Sequence, residues 1–328
     1  MLKQTFFIFS FLGYSILFAQ ENMGSIERLV VDDLASLVPK GAKIEVLANG
    51  FSWSEGPVWV PRLNGVLFSD VPENKVYLWT ESDGLVLFLN PSGMTNHAPH
   101  SANKGSNGLV LDAEGNLILC QTGDRRVAQL KSWLFDAPAF ETLVDHYGEK
   151  WLNSPNDLVF NSDGELYFTD PPYGFKKQDQ DVLKEISFNG IYRWSKEKGI
   201  ILLDGSLTRP TGIAFSNDEK TLYIGNSDPK NPIIAAFDHQ NGKLSNKRVF
   251  FDGFVLSKTR DGLFDGLKVH SSGNLFATGP GGVLVIDPNG RHLGTILTGK
   301  NAANCSFDVE ENYLYITSSD VLARIKLK

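Results

Sequence analysis

Six polar residues stand at the same point of six similar stretches of this chain: Glu55, Asn107, Asn156, Thr211, Asp265 and Asn304. Each heads a short apolar run, and successive members lie 52, 49, 55, 54 and 39 residues apart. If the fold gathers these positions, two carboxylates, three amides and a hydroxyl meet at one place. All six offer oxygen, and neither Cys nor His is among them. That inventory suits a hard cation, because Ca2+ takes roughly six to eight oxygen ligands and two carboxylates balance its charge. The donor types point to calcium and leave Mg2+, Mn2+ and Zn2+ open, since oxygen ligands select softly among such ions. Taken singly, an Asn or Asp before a strand is ordinary turn chemistry. Six polar groups in one register argue for a ligand, because burying them without one would leave each desolvated and unpaired.

The elements that must position these residues are hairpins. The stretches "SEGPVWVPRLNGVLFSD" (54–70), "SNGLVLDAEGNLILCQ" (106–121), "PNDLVFNSDGELYFTD" (155–170), "PTGIAFSNDEKTLYIGN" (210–226), "FDGLKVHSSGNLFATG" (264–279) and "ANCSFDVEENYLYITSS" (303–319) share one plan. A polar residue, usually followed by Gly, leads an apolar strand, a turn rich in Asp, Asn, Ser and Gly, and a second strand ending in small polar residues. Two further strand-like runs follow most hairpins, for example "KVYLWTE" and "LVLFLN". Four strands per repeat at this period predict an all-β, six-bladed propeller of antiparallel blades. After the sixth hairpin only "VLARIKLK" remains, so that blade lacks a strand, and "KIEVLANG" (43–50) is expected to supply it. The two chain ends would then share a blade and close the ring, hiding sheet edges. The innermost strand of each blade lines the central channel, so the six leading residues are expected to face the axis.

The remaining composition sets limits. A chain of 328 residues with 42% hydrophobic content can bury a large core. Its net charge of −7 argues against nucleic acid or an anionic membrane as partner. At the N-terminus one Lys precedes an apolar run from Phe6 to Ala19, which reads as a secretory signal cleaved after Ala19 and too short for a comfortable membrane span. The expected organisation is signal peptide 1–19, N-terminal segment 20–42 and propeller 43–328, with a periplasmic or secreted mature protein. Cys120 and Cys305 permit one disulfide in such a compartment, but each lies in an apolar strand-like context that favours a buried thiol.

Five motifs, "SEGPVWVP", "LNSPNDLVF", "YFTDPPYG", "IAFSNDEKTLYI" and "FDGLKV", occur in an order that resembles the SMP-30/gluconolactonase/luciferin-regenerating-enzyme family. The resemblance covers nearly all of the chain after the N-terminal run. It implies a six-bladed propeller with a divalent metal in the channel, usually calcium, and hydrolysis of lactones or, in some relatives, of organophosphates. Position by position it implies metal ligands at Glu55, Asn156 and Asp265, with Asp265 also catalytic. The fourth family ligand is usually Asn, and here that position is Thr211, a shorter neutral donor. Some relatives carry an Arg two residues before the "PND" Asn for substrate binding; here that residue is Ser154, so their sugar specificity is not assumed for this chain.

The implied chemistry is polarisation of a lactone carbonyl by the cation, with Asp265 orienting or deprotonating water. Asn107, Asn156 and Asn304 are candidates for holding substrate oxygens. His97 and His100, in the polar loop "GMTNHAPHSANKGSNG" (93–108), are candidates for substrate contact if the loop arches over the channel mouth. Tyr173 in "DPPYGF" is a candidate pocket wall. Asp157, Asp163 and Asp261 read as structural. The competing functions are an ester or organophosphate hydrolase on the same site, and a non-catalytic binding propeller in which Thr211 marks a degenerate metal site.

Overall fold

The computed structural model describes residues 25–28, 34–102, 104–132 and 138–328. The apolar run read as a signal lies outside them. Strands dominate, and they assort into six antiparallel sheets and one two-stranded hairpin. Numbered in chain order, blade 1 spans 54–89, blade 2 spans 106–144, blade 3 spans 158–204, blade 4 spans 210–252, blade 5 spans 267–297 and blade 6 spans 302–326. Blade 6 is completed by Ile44–Asn49, which pairs with Val321–Lys326 in the register Ile44 opposite Ile325. The expected closure by the two chain ends is therefore present. A small hairpin of His146–Tyr147 with Lys150–Trp151 links blades 2 and 3.

The segment before the ring takes part in it. Ser25–Arg28 pairs with His292–Leu297, adding a fifth strand to blade 5 and covering its outer edge. Leu34, Leu37 and Val38 pack into the apolar cluster between blades 5 and 6. Among the described residues there are six such clusters, one at each junction between neighbouring blades. The one that seals the ring joins Ala48, Tyr315 and Leu322 of blade 6 to Val66, Phe68 and Trp79 of blade 1. Trimming any of the large side chains in these junctions to Ala would cost about 2–5 kcal/mol. Cys120 and Cys305 are buried free thiols; burial pushes the Cys305 thiol up to about 12, so it behaves as a small apolar residue.

Near the axis the blades approach backbone to backbone, which explains the glycine that follows most of the leading residues. A Cβ on Gly56 would lie 2.1 Å from the Asn107 carbonyl oxygen, and one on Gly212 would lie 2.0 Å from that of Asp265. The same closeness lets Gly108 N donate to Asn156 O at 2.7 Å and Gly212 N to Asp265 O at 3.1 Å. Hydroxyls of the second strands add further stitches: Ser69 Oγ donates to Asn107 O at 2.9 Å and Thr278 Oγ1 to Ala303 O at 2.9 Å. The ring thus fixes each leading residue from the neighbouring blade as well as from its own.

Candidate metal centre and active site

The residues ending the second strands turn out to be clips. Asp70 accepts from the backbone N–H groups of Ser52 and Trp53, both at 3.1 Å. Asp170 accepts from Asn153 N at 2.7 Å and Ser154 N at 2.6 Å, and Asn226 Oδ1 from Arg209 N at 2.8 Å. Each clip holds the loop just before a leading residue, so Glu55, Asn156 and Thr211 enter the channel from anchored backbone. Asp170 is buried, and burial pushes its carboxyl up to about 7 despite those N–H donors.

The clipped loops surround a cavity of about 640 Å³ at one end of the channel. Glu55, Asn107, Asn156, Asp265 and Tyr173 all line it, beside Trp53, Phe175, Leu263 and Lys104. Glu55 is 2% exposed; it accepts from Gly56 N at 3.0 Å and from the Trp53 side chain. Burial first, and then the charge of Asp157, push its carboxyl up to about 7. Asp265 is raised well above the ordinary aspartate value by burial and by the facing Glu55 carboxylate, an effect only partly offset by a hydrogen bond from Thr211. Asn107 Oδ1 is buried with no hydrogen-bond partner among the described residues. Two opposed carboxylates and an orphaned amide oxygen form a donor set that a cation would satisfy, and the residues present therefore fit a bound divalent ion.

Thr211, Asn304, His97 and His100 lie off the cavity. Thr211 is 1% exposed and does not line the cavity. Its hydroxyl lies 3.2 Å from Phe264 O and also reaches the Asp265 carboxylate, so it supports Asp265 from behind. Asn304 sits below the floor, donating from Nδ2 to Asp157 Oδ2 at 3.4 Å and accepting from Cys305 N at 2.9 Å. His97 is held outside, with Nε2 2.9 Å from Asp145 and its ring edge-on to Trp151. His100 Nδ1 is 3.3 Å from Ala98 O, and neither histidine lines the cavity. The loop that carries them does reach it, through Ala102 and Lys104. Tyr173 is a fixed wall: its hydroxyl donates to Ser227 O at 2.8 Å, and burial pushes it up to about 12.

Lys104, which lines the cavity, was missed from sequence, and Asp157, read there as structural, sits beneath the floor. Asp157 is 2% exposed and lies on the axis, 3.8 Å from Lys268 Nζ of blade 5, where its charge opposes Glu55 and Asp265. Its signal was present: blade 3 has Asp where blades 1, 2, 4 and 5 have the close-approach glycine. Lys104 gave no signal, because a lone Lys in a polar loop looks solvated.

Comparison with known proteins agrees with this geometry. A family model described as SMP-30/Gluconolactonase/LRE-like region matches residues 53–320. A gluconolactonase of Zymomonas mobilis subsp. mobilis is 36% identical over 302 residues, spanning 90% of this chain and 84% of that protein. The solved structure of a gluconolactonase from Xanthomonas campestris superposes with a TM-score of 0.81 at 30% identity, covering 93% of this chain and 95% of that one. A calcium-binding protein, regucalcin, from Agrobacterium tumefaciens shares the fold, with a TM-score of 0.66 at 17% identity over 86% of this chain and 94% of its own. With its ring, its clipped leading residues and these matches, the chain belongs to the SMP-30/gluconolactonase/LRE-like family.

Proposed function

We propose that this protein is a calcium-dependent lactonase that opens a small cyclic ester to its hydroxy acid. The observation that carries the reading is the opposition of Glu55 and Asp265, two desolvated carboxylates beside the unpartnered Asn107 oxygen on the wall of one cavity. Without a cation the pair is held only by sharing a proton through the hydrogen bond between the two carboxyls, whereas a dication would let both stand ionised. The relatives named gluconolactonase support the reaction class. Calcium is favoured by the mixed carboxylate and amide oxygens of Glu55, Asp265, Asn107 and Asn156, a hard donor set on the cavity wall.

Glu55, Asn156 and Asp265 would hold the ion, with Thr211 bracing Asp265. When bound, the ion supplies positive charge that polarises the lactone carbonyl. Asp265 takes a proton from water as the oxygen of that water bonds to the carbonyl carbon. The proton returns to the ring oxygen as the ester C–O bond breaks, leaving a carboxylic acid and an alcohol on one open chain. Asn107 and Asn156 orient substrate oxygens, while Trp53, Phe175 and Tyr173 wall the cavity and exclude bulk water. The apolar run at residues 6–19 supports a site of action in the periplasm or outside the cell.

The test is acid release from glucono-1,5-lactone by the calcium-loaded chain, by the chelated chain and by the Asp265→Asn variant. Turnover by the first alone supports the proposal. A rate unaffected by chelation would overturn the metal role, and no turnover of this or any other small sugar lactone with any divalent ion would overturn the lactonase reading.

A further inference from the structure

The charge around the cavity is uneven in a way the lactonase reading does not use. A dication would neutralise Glu55 and Asp265. Two ammonium groups then remain among the lining residues, Lys104 from the loop before blade 2 and Lys176 from the loop after Tyr173. Among the described residues neither makes an ion pair. Nearby cations are already committed: Arg209 pairs with Asp179 at 2.5 Å, Lys184 with Asp179 at 3.8 Å, and Lys268 with Asp157 below the floor. Lys104 is half-buried, and desolvation lowers its pKa with no carboxylate acting against it. An unpaired, partly desolvated ammonium is costly unless a ligand supplies its counter-charge. The chain as a whole carries −7, so a cationic mouth is a local exception to its field.

We propose that the cavity selects lactones bearing an anionic group away from the ring carbonyl, with Lys104 as its counter-ion and Lys176 at the rim. The inference rests on the lactonase reading and narrows its substrate class. A six-carbon lactone carrying a terminal carboxylate has the right chemistry: its carbonyl faces the Glu55–Asp265 side, and the carboxylate faces the lysines. A cavity of about 640 Å³ accommodates it, being within the range of about 300–1,000 Å³ for small-molecule sites.

The experiment compares D-glucaro-1,4-lactone with D-glucono-1,4-lactone, which share a ring and differ by a carboxylate in place of a hydroxymethyl group. The ratio of their kcat/KM values is measured for the calcium-loaded wild type, Lys104→Gln and Lys104→Arg. The wild type is expected to favour the glucarolactone about tenfold or more, chiefly through KM, as a charged hydrogen bond would give. That ratio falls about tenfold in Lys104→Gln and recovers in Lys104→Arg. A wild-type ratio near one, or an unchanged ratio in Lys104→Gln, overturns the inference. Calorimetric titration of the same two lactones separates its failure from that of the lactonase reading. If neither is turned over, tighter binding of the glucarolactone that Lys104→Gln removes still supports the anion site, and equal or absent binding of both lactones overturns it.

Discussion

At the far end of blade 3, beside the hairpin turn at residues 163–164, a second cavity of about 410 Å³ is lined by Asp163, Glu165, Arg193 and Lys198. There the buried charges, Glu165 and Arg193, have found their opposites, and the acids left over, Asp163 and Glu197, are exposed to water. Glu165 Oε2 lies 3.3 Å from Arg193 Nη1, and Oε1 lies 2.7 Å from Lys198 Nζ. Burial would raise the Glu165 carboxyl, but the Lys198 hydrogen bond and the two positive charges outweigh it and hold the group below its ordinary value. The channel mouth is built the other way. Glu55 and Asp265 face a like charge, and among the described residues Asn107 Oδ1 has no hydrogen-bond partner and Lys104 has no acid beside it. Both cavities are polar, yet one is complete and the other waits for ligands. A depression full of charge is therefore a poor guide to function by itself; the informative feature is charge left unpaired where water is scarce.

The contrast breaks most visibly at Asp265. Asp265→Asn should lower lactone turnover by on the order of 10³-fold, within the usual span for loss of a general base, and should abolish calcium binding while leaving the circular dichroism spectrum of the fold unchanged. Retained turnover would remove Asp265 from the chemistry. Next in size is the effect of calcium on stability. At a concentration of 100 Kd it should stabilise the wild type by about 2.7 kcal/mol, seen as a higher Tm than in chelator, and Glu55→Gln should show no such rise.

The chelated forms of the same two proteins sharpen the comparison. Because the Glu55 value is raised to about 7, the stability associated with its neutral form is fully present below about 4.5 and lost as pH rises through about 7. At pH 8 metal-free Glu55→Gln should therefore exceed metal-free wild type in stability by about 1 kcal/mol, as expected where a functional site stores repulsion. Identical unfolding curves at pH 8 would show that the pair is not strained.

Glu165→Gln should do the reverse. It leaves the buried Arg193 without its carboxylate and should cost about 1–3 kcal/mol, with calcium titration unchanged. Since the Glu165 value is lowered, its stabilisation is present at neutral pH and lost as pH falls below the ordinary glutamate range, so mutant and wild type should converge in acid. The smallest effect belongs to Thr211→Val, which removes a hydroxyl bracing Asp265. Calcium affinity should fall about fivefold, the equivalent of one neutral hydrogen bond, and an unchanged affinity would detach Thr211 from the site.

The sequence alone determined the ring and most of its centre. Hairpins, strand alternation and the polar residue heading each innermost strand are local patterns, and six copies in register leave a propeller as the natural way to bury them. Glu55, Asn107, Asn156 and Asp265 could be singled out because strand geometry fixes which residue starts at the axis. Only tertiary structure decided the rest. Thr211 and Asn304 occupy equivalent places in the repeat, yet small differences in depth put the first behind Asp265 and the second beneath the floor. His97 looked available until a hairpin between blades 2 and 3 placed Trp151 and Asp145 against it. Lys104 looked solvated until the loop folded it into the mouth. In each case the deciding contact comes from another blade or a distant loop. The direction and desolvation of a side chain are set by such neighbours, and local spacing carries no record of them.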